Sequence, residues 1–385
     1  MKLILFTFVK NVIAMNANNI LKISFWLLMI SSLLTSCAAD RDPNYKPPLS
    51  GAIGKTSEIV IVADKTTWEG AVGDTLRYYF GSSYLILPQP EAIFDLRHFT
   101  INDLKDDKNR RQLRTYLVLG NLSSDDSPTS EMLRRDLGAE KVAKAKADKR
   151  FHTVIGHNKW AMGQMITYVF GNTDEDLMNN IRESFPTVSK RVKEFDKIQV
   201  DSWSYFKGRN GPLEKEIKAK LGVDIKIPEE YFKAISEENT FWLRKETNDV
   251  SYNIFVHKLP YTSQNQFSQK GMKAIRDTLG KRYVTSDIED SYMRTNDVDL
   301  PMFVQAMDIN GHYAVEARGI WDMVNDFMGG PFISYLLHNK ETNELVYVEG
   351  FVHAPTTTKR KHMQSIEHII RSTSFEETVT EMVKE

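Results

Sequence analysis

The sequence predicts an α+β protein in two parts, an N-terminal α/β sandwich and a C-terminal antiparallel sheet flanked by helices. Three observations predict it. Between Glu58 and Phe185 apolar runs of strand length alternate with stretches of helical spacing. After Pro212 strand-length runs follow one another, and short turns such as Asn339-Lys340-Glu341-Thr342-Asn343 favour an antiparallel meander. Between the two, Gly208-Arg209-Asn210-Gly211-Pro212 carries no apolar period and marks a boundary.

Taken in order, Glu58 to Ala63 is a continuous apolar run, and Trp68, Val72, Leu76 and Tyr79 then recur at helical spacing before Gly81, giving a buried strand followed by an amphipathic helix. Leu85 to Pro90 breaks into a turn, Ile93 to Phe99 suits a strand, and Thr115 to Leu119 suits another. Residues 121–130 are a Ser/Asp/Pro-rich loop. Glu131 to Arg150 is a charged helix with a thin stripe of Met132, Leu133, Leu137 and Val142. Its lysines alternate with alanines and acids, so they form a solvated face rather than a phosphate-binding one. Trp160 to Phe170 has strand character. Thr173 then caps a helix whose first turn holds Asp174, Glu175 and Asp176 against the positive end of the dipole, with Leu177, Ile181 and Phe185 inward.

Past the boundary, Pro212 opens a helix with Leu213, Ile217 and Leu221 inward and Gly222 as its terminator. Strands are expected at Val223 to Ile227, Thr240 to Lys245, Ser251 to His257, His312 to Ile320, Phe332 to Leu337 and Leu345 to Val352. Helices are expected at Phe267 to Leu279 and at Lys359 to Arg371. The resulting division is 54–206 for the first domain and 207–373 for the second, with a frayed polar tail at 374–385.

Cys37 is the single cysteine, and it closes the run Leu33-Leu34-Thr35-Ser36-Cys37 after an apolar stretch that begins near Ile23. About 12 apolar residues are too few for a comfortable span and suit the h-region of a lipoprotein signal. Residues 1–37 are therefore expected to be a signal ending at a lipidated Cys37, with Met15 as an alternative start and a retained anchor helix as the alternative reading. Residues 38–53, with Pro43, Pro47 and Pro48, form an extended tether. Once Cys37 is consumed, no thiol is left for a disulfide, a thiolate metal site or a cysteine nucleophile. The signal carries three lysines and no acid, so the formal charge moves from −1 to −4 on cleavage, which argues against a nucleic-acid partner.

Metal and cofactor motifs are absent from the sequence. His362 and His368 are six apart and fall on different faces of a helix, and His152 with His157 suits two surface histidines. A Gly-x-Ser-x-Gly elbow, a phosphate loop and a dinucleotide fingerprint are missing, so no cofactor is expected. Glu316 and Glu349 each lie within an apolar strand, on opposite faces if Val315 and Tyr347 face the core, and simple exposure is expected of both. The most suggestive local feature is Arg318 with Trp321 before Gly329-Gly330-Pro331, echoed by Trp242-Leu243-Arg244. An Arg beside an aromatic plate can hold a carboxylate or a sugar, or can simply cap a sheet.

Several stretches together resemble an uncharacterised Bacteroidota lipoprotein family defined by a domain of unknown function. They are Gly54 to Val62 with Trp68, Leu87-Pro88-Gln89-Pro90-Glu91 with Phe94-Asp95, Lys159-Trp160-Ala161 with Gln164, Ile227-Pro228 with Tyr231, Phe241-Trp242-Leu243-Arg244, Arg318 to Trp321 leading to Met328 to Phe332, and Glu349-Gly350-Phe351-Val352 with Ala354-Pro355. The resemblance spans roughly 51–371 and implies an envelope location without an activity. The order of C-terminal elements is also similar to PsbP-type modules, which implies a fold and no function. The expectation is a non-enzymatic lipoprotein of the cell envelope, held to a membrane through its N-terminal lipid and binding an envelope protein or glycan. The alternative is a carboxylate-based hydrolase or transferase acting on envelope polysaccharide. A third reading is a surface lipoprotein serving nutrient capture, for which Asp40 and Asp42 soon after Cys37, interrupted by Arg41, give a weak export signal; the outer membrane is expected over the inner.

Overall fold

Two sheets organise the chain in a computed structural model that describes residues 48–375; Cys37, the signal, most of the tether and the tail beyond 375 lie outside it. The first sheet has β1 (Glu58–Val62), β2 (Asp95–Phe99), β3 (Thr115–Asn121), β4 (Thr153–His157) and β5 (Met165–Gly171) in the order β2-β1-β3-β5-β4. β1, β2, β3 and β5 are parallel, and β4 runs antiparallel beside β5. Helices cover both faces, which is why β1, β3 and β5 are apolar without alternation. α1 (Lys65–Glu69) and α2 (Ala71–Phe80) follow β1, α3 (Ile101–Asp106) follows β2, α4 (Pro128–Ala147) follows β3, and α5 (Asp174–Ser204) follows β5. Ile59, Ile61, Leu117 and Leu119 pack toward Leu76, Phe80, Leu177 and Ile181 on one face. Val60, Val62, Tyr116 and Val118 pack toward Leu104, Met132 and Leu133 on the other.

Several local details depart from the sequence reading. Trp160 lies in a turn and the strand starts at Met165, because Gln164 turns the chain: its side-chain Oε1 accepts from the N–H of Trp160 and of Ala161. His152 is buried rather than on the surface, its Nε2 2.9 Å from the Ala145 carbonyl oxygen. α5 runs on past Pro186 to Ser204, since Val188, Val192, Asp196, Val200 and Ser204 continue a buried stripe at a spacing of four.

The second sheet is antiparallel. It contains β7 (Phe232–Ser236), β8 (Thr240–Glu246), β9 (Ser251–Pro260), β10 (Tyr292–Asn296), β11 (Phe303–Ile309), β12 (His312–Val324), β13 (Gly329–Asn339) and β14 (Glu344–His353). The order is β10-β12-β13-β14-β9-β8-β7, and β11 pairs with the first half of the long β12. α6 (Gly211–Leu221), α7 (Gln269–Tyr283) and α8 (Arg360–Ile370) complete this half, with a short β6 (Val223–Asp224) paired to β15 (Ser374–Phe375). Ile254, Val256, Ile333 and Val348 meet Met363, Ile366 and Ile370 of α8 on one face. Phe255, Phe332, Tyr347 and Phe351 meet Met272 and Leu279 of α7 on the other. β4, β7, β10 and β11 are strands beyond those expected from the sequence; β10 has only Tyr292 and Met293 as apolar residues, and β11, though it holds Phe303, Val304, Ala306, Met307 and Ile309, lies at the sheet edge and buries only Ile309. The β12–β13 turn is made by Asn325 to Met328, and Gly329-Gly330 already belong to β13. Gly330 is needed there for close approach, as a Cβ would sit 1.9 Å from the Val352 carbonyl oxygen.

The two sheets meet through α5 and α8. Ser204 Oγ and Ser365 Oγ are 2.8 Å apart, and His368 Nε2 is 2.8 Å from Asp201 Oδ1. α8 has no capping side chain of its own. Glu91, 268 residues earlier, supplies it by accepting from the Lys359 N–H at 2.5 Å and the Arg360 N–H at 3.0 Å. Glu91→Ala is expected to destabilise the protein by about 1–2 kcal/mol, the cost of losing a helix N-cap, and Glu91→Gln by less because one acceptor oxygen remains. Urea denaturation midpoints of the three chains measure this.

Candidate functional site

Trp242 and Arg244 lie on β8, Arg318 and Trp321 on β12, four places apart in the sheet, so the structure does not bring the four together. Residues two apart share a face of a strand and residues three apart do not. Trp242 and Arg244 accordingly form a pair, with the guanidinium carbon 5.4 Å from the ring centroid. The Trp242 indole N–H donates to Asn253 Oδ1 at 3.0 Å, and Arg244 donates twice to Glu246 Oε1. Arg318 and Trp321 point to opposite faces. Trp321 is 3% exposed and packs edge-on against Phe351, 5.6 Å between centroids. Arg318 and Trp321 therefore form neither a plate and clamp for a ligand nor an arginine packed over its tryptophan: the tryptophan is core.

Arg318 does hold carboxylates, but they are the chain's own. It donates to Glu316 Oε1 at 2.7 Å and Oε2 at 3.0 Å, and to Glu367 Oε1 of α8 at 2.7 Å. Tyr335 and Gln305 also donate to Glu316, at 3.0 and 2.8 Å. Burial pushes the Glu367 carboxyl up, but Arg318, Arg371 and Lys193 outweigh it and leave the group below the usual carboxylate range. Burial in turn lowers the Lys193 ammonium, against the pull of Glu367.

Glu316 and Glu349 fall on opposite faces of the sheet, as the alternation required. Both are 2% exposed, which corrects the expectation of exposure. Each is paired with one arginine and accepts from one tyrosine hydroxyl, Glu316 from Gln305 as well. Glu349 accepts from Arg276 Nε at 3.1 Å and Nη2 at 2.8 Å, and from the Tyr347 hydroxyl. With a sheet between them, these carboxylates do not form a pair able to act on one bond.

A polar crevice in the first sheet is a site the sequence reading missed. In the order β2-β1-β3, the chain leaves β1 to one side for β2 and returns past it to β3, so a crevice opens at the carboxyl ends of β1 and β3; in open α/β sheets ligands bind at such a switch point. The crevice has a volume of about 540 Å³, within the range of small-molecule sites. Each strand delivers polar residues into it as it ends: Asp64 and Thr67 after β1, Thr100 and Asn102 after β2, Asn121 at the end of β3, and Asp174 after β5. This signal was visible as Ser, Thr, Asn or Asp at the end of each parallel strand or within two residues of it. It became informative only once the strand order was known.

Two of the carboxylates lining the crevice, Asp64 and Asp174, accept hydrogen bonds from the chain. Asp64 accepts from the Ser127 hydroxyl, and from the Thr129 hydroxyl at 2.8 Å and its N–H at 3.3 Å, at the start of α4. Asp174 accepts from the Asn121 amide at 2.9 Å. Lys65 pairs with Glu69 at 3.8 Å. Among the described residues no group of three or more His, Cys, Asp or Glu is placed to hold a metal ion, and no helix is long and apolar enough to cross a membrane.

Family comparisons follow the two sheets. No curated protein matches the chain. Among solved structures, a point mutant of the protein Mog1 is 11% identical with a TM-score of 0.26, covering 41% of this chain and 92% of that one. The Ran-binding protein Mog1p of Saccharomyces cerevisiae is 9% identical with a TM-score of 0.26, covering 40% of this chain and 90% of that one. Residues 52–199 match the model described as Domain of unknown function (DUF8532), and residues 211–372 match Domain of unknown function (DUF4837). The chain therefore matches two families, each defined by a domain of unknown function, one across its first sheet and one across its second.

Proposed function

We propose that the protein is a lipid-anchored, non-enzymatic binding module of the cell envelope, with its ligand site in the switch-point crevice. The observation that carries this reading is where the chain enters the fold. Ser50 and Ala52 exchange backbone hydrogen bonds with Met162, just before β5, and the Ile53 N–H donates to the Gln112 carbonyl, just before β3. Entry is thus at the amino ends of the parallel strands, whereas the crevice is at their carboxyl ends, about 20 Å away along the seven residues of β3. A chain tethered through Cys37 is joined to the fold at the end opposite its site, as a presented binding surface requires.

The internal satisfaction of Glu316, Glu349, Asp64 and Asp174 supports binding over carboxylate catalysis. Cys37→Ala is expected to abolish incorporation of a fatty-acid analogue and cleavage of the signal, since no other thiol is present. Labelling in cells followed by electrophoresis measures both. Label retained by the variant ends the anchoring reading.

A further inference from the structure

The geometry points to an uncharged, hydroxyl-rich ligand, a neutral oligosaccharide, as the occupant of the crevice; this rests on the reading of the crevice as the binding site. The argument turns on which groups are free. Two of the lining carboxylates already accept from the chain itself, Asp64 from Ser127 and Thr129 and Asp174 from Asn121, and Lys65 lies 3.8 Å from Glu69. By contrast, the side chains of Thr66, Thr67, Asn102 and Ser124 line the cavity and have no hydrogen-bond partner among the described residues. Hydroxyls both donate and accept, and a carboxamide offers two donors and an acceptor, so together they match a ligand carrying many alcohols and no net charge.

Anionic ligands are disfavoured by a specific contact. The start of a long helix is an ordinary place to bind phosphate, because its free N–H groups point outward. At the start of α4 that position is occupied by the Asp64 carboxylate, which accepts from the Thr129 N–H and hydroxyl. A phosphate entering there would have to displace Asp64 and lie beside its charge. Asp126 at the rim adds a further negative charge. For a cationic ligand the lining carboxylate without a hydrogen bond among the described residues is Asp126, exposed at the rim, and spermidine tests that class directly.

The test uses the full chain in a detergent without a sugar headgroup. Binding of cellotetraose, maltotetraose and diacetylchitobiose is followed by saturation-transfer NMR and calorimetry, with inorganic phosphate and spermidine as charged probes. At least one neutral sugar is expected to bind, to weaken at least tenfold in Asn102→Ala with Thr67→Val at an unchanged melting temperature, and to outcompete both charged probes. Asp64→Asn is expected to gain phosphate binding. If a sugar binds equally well to the Asn102/Thr67 variant, the crevice is not its site and the functional reading fails with it. If phosphate or spermidine binds the parent chain and is lost in that variant, the crevice stands and the neutral class is wrong. If none of the sugars binds, the inference is overturned.

Discussion

Arg276→Met is expected to destabilise the protein by about 3–5 kcal/mol, because it strands a carboxylate in the interior. Arg276 is 1% exposed and Glu349 2%, and the guanidinium also donates to Thr295 Oγ1 while lying 3.8 Å from the Phe332 ring centroid. Removing it leaves Glu349 with the Tyr347 hydroxyl as its remaining partner and no compensating charge. The double change Arg276→Met with Glu349→Gln is expected to recover most of the loss, since neutral Gln still accepts from Tyr347 and no charge is buried. Guanidinium denaturation of the parent, the single and the double variant measures the difference. Equal losses in the single and double variants would mean that packing of the arginine stem, not the ion pair, holds α7 to the sheet.

Trp321→Ala is expected to cost about 3–5 kcal/mol, the range for emptying a large aromatic site in a core. The ring lies among Met293, Phe332 and Phe351, and Gly330 brings β13 against it. Trp242→Ala is expected to cost less, because Trp242 is half-buried near the sheet edge and its loss removes chiefly the contact with Arg244 and the bond to Asn253. Thermal melts of the two variants compare them directly. A Trp321 variant that melts like the parent would return this residue to the surface and to consideration as a contact for a partner.

Much of the fold was legible where local chemistry decides it. Thr173 caps α5 by accepting from the Asp176 N–H, as its position before three acids indicated. Gly222 ends α6 in the left-handed conformation, with φ 70°, as a glycine after the last apolar position should. Met363, Ile366 and Ile370 are the buried face of α8. Edge strands were not legible: β10 has few apolar residues, and the five of β11 stay mostly exposed without the alternation that burial of one face imposes. The continuation of α5 past Pro186 was hidden because a proline inside a helical pattern ordinarily ends or kinks it.

The binding residues divide in the same way. The sequence by itself determined the single thiol at Cys37 and the α+β class, because each depends on residue identity or on a short repeat. Tertiary structure decided that Arg318 spends its donors on Glu316 and Glu367, that Trp321 is core, and that Asp64, Thr67, Asn102 and Asn121 share one crevice. Those outcomes depend on strand order and on which helix covers which face. Partners 49 residues apart, as in Arg318 and Glu367, or 53 apart, as in Asn121 and Asp174, leave no periodic trace in the chain that joins them.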